Sequence, residues 1–181
     1  MDAPYQLDPD VFASVLLAER LVFGFLFAAH GTQKLLGWFR GAGLDDTGGF
    51  FEQLGFRPGR AFAAAAGLTE LTAGLLIALG FLGPVGPALL LSVMVVAVIT
   101  VHRRNGLLAT SNGSELPLLY VVVAVGLAFT GFGRYSLDAA LGIADWSPWV
   151  SWTALGGGAL AGFTNVLARR LPTPSPAPLS R

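Results

Sequence analysis

Five apolar stretches divide the sequence, and short polar segments separate them. They run roughly over residues 11–37, 61–82, 85–101, 116–132 and 149–167. Each is close to the ~17 to 25 residues that a helix needs to cross the hydrocarbon core of a bilayer. The pattern predicts five transmembrane helices in one domain over residues 1–171. The proline-rich residues 172–181 predict a disordered cytoplasmic tail.

The basic residues fall on alternate connections between these stretches. Of the 11 Lys and Arg residues, nine lie in or beside the first connection, the third connection and the C-terminal tail. Arg134 lies in the fourth connection, and Arg20 lies inside the first stretch. Because cytoplasmic loops of membrane proteins are enriched in Lys and Arg, we expect the N-terminus outside and the C-terminus in the cytoplasm.

The composition agrees with a membrane protein. Hydrophobic residues make up 54% of the chain and charged residues 12%, against about 25% charged residues in soluble domains. The sequence has no Cys, which excludes disulfides, iron–sulfur clusters and thiolate chemistry within it. The formal net charge is zero, so the charge indicates no nucleic-acid partner. The longest connection, residues 38–60, is too short for a soluble domain, so we expect soluble catalytic domains on another chain.

Local signals predict features of the packing and of the connections. Gly67 and Gly74 flank Glu70 on one helical stripe, which predicts a close neighbouring helix there. In the first connection, a short amphipathic helix is expected after Thr47 as its N-cap. In the fourth, Ser136 is a candidate N-cap, and Arg134 lies four residues before Asp138, a spacing that favours an ion pair.

Ionisable residues lie inside the predicted spans, where each costs on the order of 2.5 to 3.5 kcal/mol unless it is paired or hydrated. Arg20, His30 and Lys34 share one broad face of the first helix, and that face must point into the bundle. Glu70 lies near the middle of the second span. It is the expected counter-ion either of Arg20 or of His30 and Lys34.

More ionisable groups are expected at the cytoplasmic end of the bundle. His30 and Lys34 close the first span, His102 closes the third, and Glu115 opens the fourth. Such groups in a low-dielectric pocket are suited to proton transfer, although salt bridges that hold helices in register would use the same residues. The expected catalytic residues are His30, Lys34, Glu70 and Glu115. The expected cofactor-binding residues are Arg20, His30, Lys34, Glu70 and His102.

Two other sites use the same residues but are less favoured. A haem would need His30 and His102 opposite each other, and a metal ion would need both His with Glu70 or Glu115. The sequence has no metal-binding spacing such as two His one helical turn apart. We therefore expect neither haem nor metal.

Several segments, in this order, resemble the DoxX/DoxD-like membrane proteins. They are Arg20, residues 30–35, 48–55, 70–75 and 79–80, 113–115, and 131–138. The resemblance covers about residues 12–142 and implies an all-α, four-helix transmembrane bundle in a bacterial cytoplasmic membrane. The same resemblance emphasises Arg20, His30, Lys34, Glu70, Glu115, Arg134 and Asp138. The segment from Trp146 to Leu167 departs from the family pattern and predicts a fifth transmembrane helix.

The resemblance also implies a link to redox chemistry. Relatives are known as the membrane subunit of thiosulfate:quinone oxidoreductase, and others are linked to oxidative-stress complexes with soluble partners. We therefore expect a membrane subunit of a quinone-linked oxidoreductase complex, with a quinone or similar molecule bound in the cytoplasmic half and electrons supplied by a partner subunit. The alternatives are a non-catalytic scaffold, docked on a larger complex or a second copy of itself, and a transporter of small molecules or protons.

Overall fold

The computed structural model describes residues 8–170, and every regular element in that range is helical. The predicted domain end at residue 171 and the predicted tail at 172–181 lie outside the described residues. The α-helices are α1 (Pro9–Leu36), α2 (Gly43–Gln53), α3 (Gly59–Leu79), α4 (Val85–Ala97), α5 (Glu115–Thr130), α6 (Leu137–Ala140) and α7 (Pro148–Leu167).

Local signals set the ends of α1 and α3. Asp8 caps α1 by accepting a hydrogen bond from the Asp10 amide at 2.8 Å, and Pro9 occupies the first turn. Gly37 ends α1 in the left-handed conformation, at φ 72°. Gly80 ends α3 in the same way, at φ 65°, so this helix stops before the predicted boundary at residue 82.

The helical path of α4 continues beyond the predicted end of its apolar stretch. A π-helical turn, Val98–His102, follows α4, and a 3₁₀ turn, Arg103–Asn105, follows the π turn. Because a π turn winds more residues into each turn, it changes the direction in which the following side chains point. The periodicity of the sequence did not predict this change.

Three helical segments are long and apolar enough to cross a membrane: α1, α3 and the path Val85–Asn105. Helix α5 is apolar but has only 16 residues. Helix α7 has 20 residues and lies outside this group, since its glycine run and polar residues such as Asn165 make it less apolar. The structure therefore confirms an all-helical protein with apolar spans, and five crossings and their orientation stay predictions.

Helices α1 and α3 pack in direct backbone contact, as the glycines predicted. A Cβ atom added at Gly31 would lie 2.6 Å from the carbonyl oxygen of Gly67. A Cβ atom added at Gly24 would lie 2.7 Å from the carbonyl oxygen of Gly74. Both distances are shorter than any tolerated contact, so only glycine fits at these two positions of α1.

The hydrophobic core joins α1, α3, α4 and α5. Its buried members are Leu16, Phe27, Ala73, Ile77, Leu90, Met94, Ala124, Leu127 and Phe132. Helix α7 packs on the outside of α4, where Gly158 meets the backbone of Ala88 and Gly162 meets Ser92 and Val95. The architecture is a bundle of four helices with α7 as an added helix along α4.

The two predicted N-caps in the connections have different outcomes. Ser136 caps α6, since its hydroxyl oxygen accepts a hydrogen bond from the Ala139 amide at 3.2 Å. The prediction for Thr47 was wrong, because α2 already begins at Gly43 and Thr47 lies buried inside the helix. Asp45, in the first turn of α2, pairs with Arg60 of α3 at 2.8 Å.

Candidate functional site

Lys34 and Glu70 form an ion pair between α1 and α3. The Lys34 Nζ atom lies 2.8 Å from Oε1 and 2.6 Å from Oε2 of Glu70. The Glu70 side chain is 4% exposed and that of Lys34 is 27% exposed. Of the partners that the sequence left open for Glu70, the structure therefore selects Lys34.

A cavity of about 280 Å³ lies beside this ion pair. Its lining comes from α1, α2, α3, α4 and α7, from the segment after α2 and from the π turn after α4. Four phenylalanines line it: Phe50, Phe51, Phe56 and Phe62. The polar part of the lining includes Lys34, Glu70, Thr100, His102 and Asn165. The cavity is thus an apolar, aromatic pocket with the ion pair in its wall.

The π turn after α4 brings Thr100, Val101 and His102 to the wall of this pocket. The His102 Nδ1 atom lies 2.8 Å from the carbonyl oxygen of Asn112. A carbonyl oxygen can only accept, so Nδ1 carries the proton in this hydrogen bond. In the neutral ring, Nε2 is then a proton acceptor on the side chain that lines the pocket.

His30 does not line the pocket. Its exposed ring lies in edge contact with Tyr120 of α5, with 6.3 Å between the ring centres, and its Nδ1 lies 3.1 Å from Oε1 of Gln33. His30 and His102 therefore do not face each other across the pocket. This geometry does not fit a haem held between the two histidines.

Glu115 also lies outside the pocket lining. Its Oε2 atom accepts a hydrogen bond from the Ala109 amide at 2.7 Å. The contact stabilises the short 3₁₀ turn, Ala109–Ser111, which precedes α5. The structure thus gives Glu115 a role in the connection rather than beside Glu70.

Arg20 lies at the opposite end of α1. It is fully buried, and its Nη2 atom donates to the carbonyl oxygen of Tyr135 at 2.6 Å. Residues 20 and 34 lie about 21 Å apart along a helix that rises ~1.5 Å per residue. Arg20 therefore belongs to a second polar cluster and not to the predicted binding set around Lys34.

Asp138 is the centre of this second cluster. Its carboxylate accepts hydrogen bonds from the amides of Leu82 and Gly83, at 2.8 and 2.7 Å, and from the indole of Trp146 at 3.1 Å. The buried carboxylate fastens the α3–α4 turn to the segment between α5 and α7. This role explains why the expected pair with Arg134 does not form.

Arg134 contacts the N-terminal end of α1 instead. It pairs with the carboxylate of Asp10 and donates to the Tyr135 hydroxyl at 2.7 Å. The hydrogen bond to Tyr135 and the nearby Asp10 carboxylate raise the pKa of Arg134 above its usual value. Arg134 therefore stays charged and helps to hold the connection against α1.

Within residues 8–170, no three or more His, Cys, Asp and Glu side chains come close enough to hold a metal ion together. A quinone, in contrast, fits the character of the pocket. Its aromatic walls suit a flat apolar ring, and Lys34 and His102 supply polar groups for a carbonyl or hydroxyl oxygen.

Comparison with known proteins agrees with this fold. The DoxX family model matches residues 15–103, which contain most of α1, all of α2 to α4 and the π turn. Residues 15–103 form a DoxX domain. The DoxX protein is also similar to the uncharacterized membrane protein Rv3486 of Mycobacterium tuberculosis (strain ATCC 25618 / H37Rv), with 29% identity over 137 residues, 70% of this chain and 80% of the relative. No solved structure matches the DoxX protein. It is an integral membrane protein, as predicted.

Sequence reasoning missed part of the pocket in this DoxX protein. The sequence predicted only a short amphipathic helix in the first connection, yet Phe50 and Phe51 of α2 line the pocket together with Lys34. Asn165 was not considered, although a polar amide inside an apolar helix was a visible signal. Thr100 and Asn165 lie in different helices, and no spacing in the sequence relates them.

Proposed function

We propose that the DoxX protein is the membrane subunit of a quinone-linked redox complex and binds a quinone or similar lipid-soluble molecule in this pocket. The observation that supports the proposal is an apolar, aromatic pocket with a buried ion pair in its wall. Ligand pockets typically combine such apolar walls with a few precisely placed polar groups. The cavity, about 280 Å³, is of the size that suits a single ring.

The side chains of the pocket would have distinct roles. Two hydrogen bonds to Glu70 orient the Lys34 ammonium group, whose third N–H can be donated to a ligand oxygen. His102 would exchange a proton with the ligand through Nε2. A bound quinone supplies two-electron, two-proton chemistry, and a partner subunit would supply the electrons. Lys34 and His102 would thus both interact with a ligand oxygen that lies in the polar part of the pocket.

We place this pocket in the cytoplasmic half of the membrane. Lys34 and His102 lie near the ends of α1 and the α4 path that lead into connections rich in basic residues. Arg40, Arg103 and Arg104 follow them closely in sequence, which favours the cytoplasmic side. A soluble partner would then reach the protein from the cytoplasm.

A scaffold or accessory subunit is the second candidate. The ion pair joins α1 and α3 beside their glycine contacts, which is also what a purely structural role requires. In that case the outward residues of α7, such as Trp152, Leu160 and Phe163, would face lipid, a larger complex or a second copy. Transport of small molecules or protons is a further alternative, for which a continuous aqueous path would be the evidence.

The deciding experiment removes the charges without leaving one of them alone. In a Lys34→Met/Glu70→Met variant, apolar side chains of similar length replace the pair, a change that often preserves stability in buried sites. If the proposal is right, a quinone should copurify with the wild-type protein and be detected by mass spectrometry. The double variant should melt nearly normally in mild detergent and lose that quinone.

A matched control removes a carboxylate outside the pocket. Glu115→Gln changes a charge at the same end of the bundle, and it should keep the copurifying quinone. Undiminished quinone in the folded double variant would contradict the proposed site. Loss of complex assembly, with quinone bound normally, would favour the scaffold.

A further inference from the structure

Among the described residues, α7 contributes one side chain to the pocket, that of Asn165. The Asn165 Nδ2 atom donates a hydrogen bond to the carbonyl oxygen of Ala161 at 2.9 Å. Because a carbonyl oxygen cannot donate, the Asn165 atom in this contact must be the amide nitrogen. The other terminal atom of the side chain is then the amide oxygen. The amide oxygen and the second N–H of Asn165 are then available to a ligand.

The C-terminal end of α7 is held against the segment that follows α2, part of which lines the pocket. The amide of Arg170 donates to the carbonyl oxygen of Gly55 at 2.7 Å. The guanidinium of Arg169 lies 6.0 Å from the ring centre of Phe56, which itself lines the pocket and is buried. These contacts hold Asn165 in place relative to α2 and α3.

The exposed lining residues mark the mouth of the pocket. Phe50 of α2, Ala65 of α3 and Asn165 of α7 are the exposed residues of the lining, whereas Glu70 is buried. The mouth therefore opens sideways between α2, α3 and α7. A molecule dissolved in the bilayer can enter there with its head group first and leave its tail in the lipid.

We propose that Asn165 is a specificity-determining residue that selects head groups with two polar oxygens on opposite sides of a ring. This inference rests on the proposed function. One oxygen contacts the Lys34 ammonium group in the wall, and the other contacts the Asn165 amide at the mouth. An amide can donate or accept, so it serves both the carbonyl of a quinone and the hydroxyl of a quinol.

The test compares two ligands with the same tail. Decyl-1,4-benzoquinone has two ring oxygens, and 4-decylphenol has one. In nanodiscs, measured by isothermal titration, the wild-type protein should bind the quinone more tightly. Asn165→Leu should weaken quinone binding roughly three- to tenfold, as expected for one neutral hydrogen bond, and leave phenol binding unchanged or stronger.

Thr164→Val is the matched control, because Thr164 is an exposed neighbour on α7 outside the pocket lining, and its hydroxyl donates to the carbonyl oxygen of Leu160. It should leave both affinities unchanged. The role of Asn165 would be overturned if Asn165→Leu and Thr164→Val lost the same amount of quinone affinity. It would also be overturned if a folded Asn165→Leu protein still preferred the quinone over the phenol as strongly as the wild type does. If the wild-type protein binds neither ligand, the proposed function itself fails, so the two failures are distinguishable.

Discussion

Lys34 and Glu70 tie α1 to α3 through one ammonium group and both oxygens of one carboxylate, at 2.8 and 2.6 Å. Glu70 lies between Gly67 and Gly74, on the stripe where the backbones of the two helices touch. The carboxylate thus reaches a cation across the close contact between α1 and α3. Each charge depends on the other, because Glu70 is buried and Lys34 is only partly exposed.

The first prediction concerns stability. Glu70→Ala leaves Lys34 without its counter-ion and should lower the free energy of unfolding by roughly 3 kcal/mol, whereas Glu70→Gln should lose less because it keeps shape and hydrogen bonding. Thermal unfolding in detergent measures both. If Lys34→Met/Glu70→Met melts lower than Glu70→Ala, the mutual dependence of the two charges is wrong.

The second prediction concerns His30, which the sequence placed in the site and the structure places against Tyr120. Glu70→Gln should reduce quinone binding, because it removes the anion that orients Lys34. His30→Ala should bind quinone as the wild type does, since no lining residue changes. Titration of both folded variants with a short-chain quinone measures the two affinities. A strong loss of affinity in His30→Ala would show that His30 contributes to the binding site.

The third prediction concerns the glycine contacts between α1 and α3. Gly31→Ala forces a methyl group against the Gly67 backbone and should lower stability by about 1 to 3 kcal/mol, as overpacking does. Gly157→Ala is the control, because nothing lies within 4 Å of its added Cβ atom. Melting temperatures should fall for the first variant and stay level or rise for the second. Equal melting temperatures for Gly31→Ala and Gly157→Ala would show that α1 and α3 can move apart at Gly31 at little cost in stability.

The fourth prediction concerns Asp138. Asp138→Ala leaves the amides of Leu82 and Gly83 and the indole of Trp146 without their acceptor, so stability should fall by about 1 to 3 kcal/mol. Quinone binding per folded molecule should persist, because this cluster lies at the other end of the bundle. Asp145→Ala, in the exposed part of the same connection, should change neither quantity.

The fifth prediction concerns topology, and the absence of Cys from the sequence makes labelling specific. A cysteine at Asp8 should react with an impermeant reagent in intact cells, and cysteines at Arg104 and Ala168 should be protected. Reaction at Ala168 would show that α7 does not cross the membrane. Reaction at Arg104, with Asp8 protected, would reverse the orientation.

Much of the fold could be predicted from the sequence because its signals are local. Apolar runs located the long helices, Gly37 set the predicted end of α1, and Ser136 identified the cap of α6. The cost of burying charge in a bilayer was enough to select Lys34 and Glu70 as members of the polar cluster. Gly67 and Gly74 of α3 likewise predicted a close neighbouring helix, which is α1.

The tertiary structure alone decided which of these groups meet. It paired Glu70 with Lys34 rather than Arg20, turned His30 toward α5, and joined Arg134 to Asp10. It also built the pocket from α2, the π turn and Asn165 of α7. The physical reason is that each residue turns a helix by about 100° and advances it by ~1.5 Å, so contacts between helices depend on rotations and axial offsets that arise only when the helices pack.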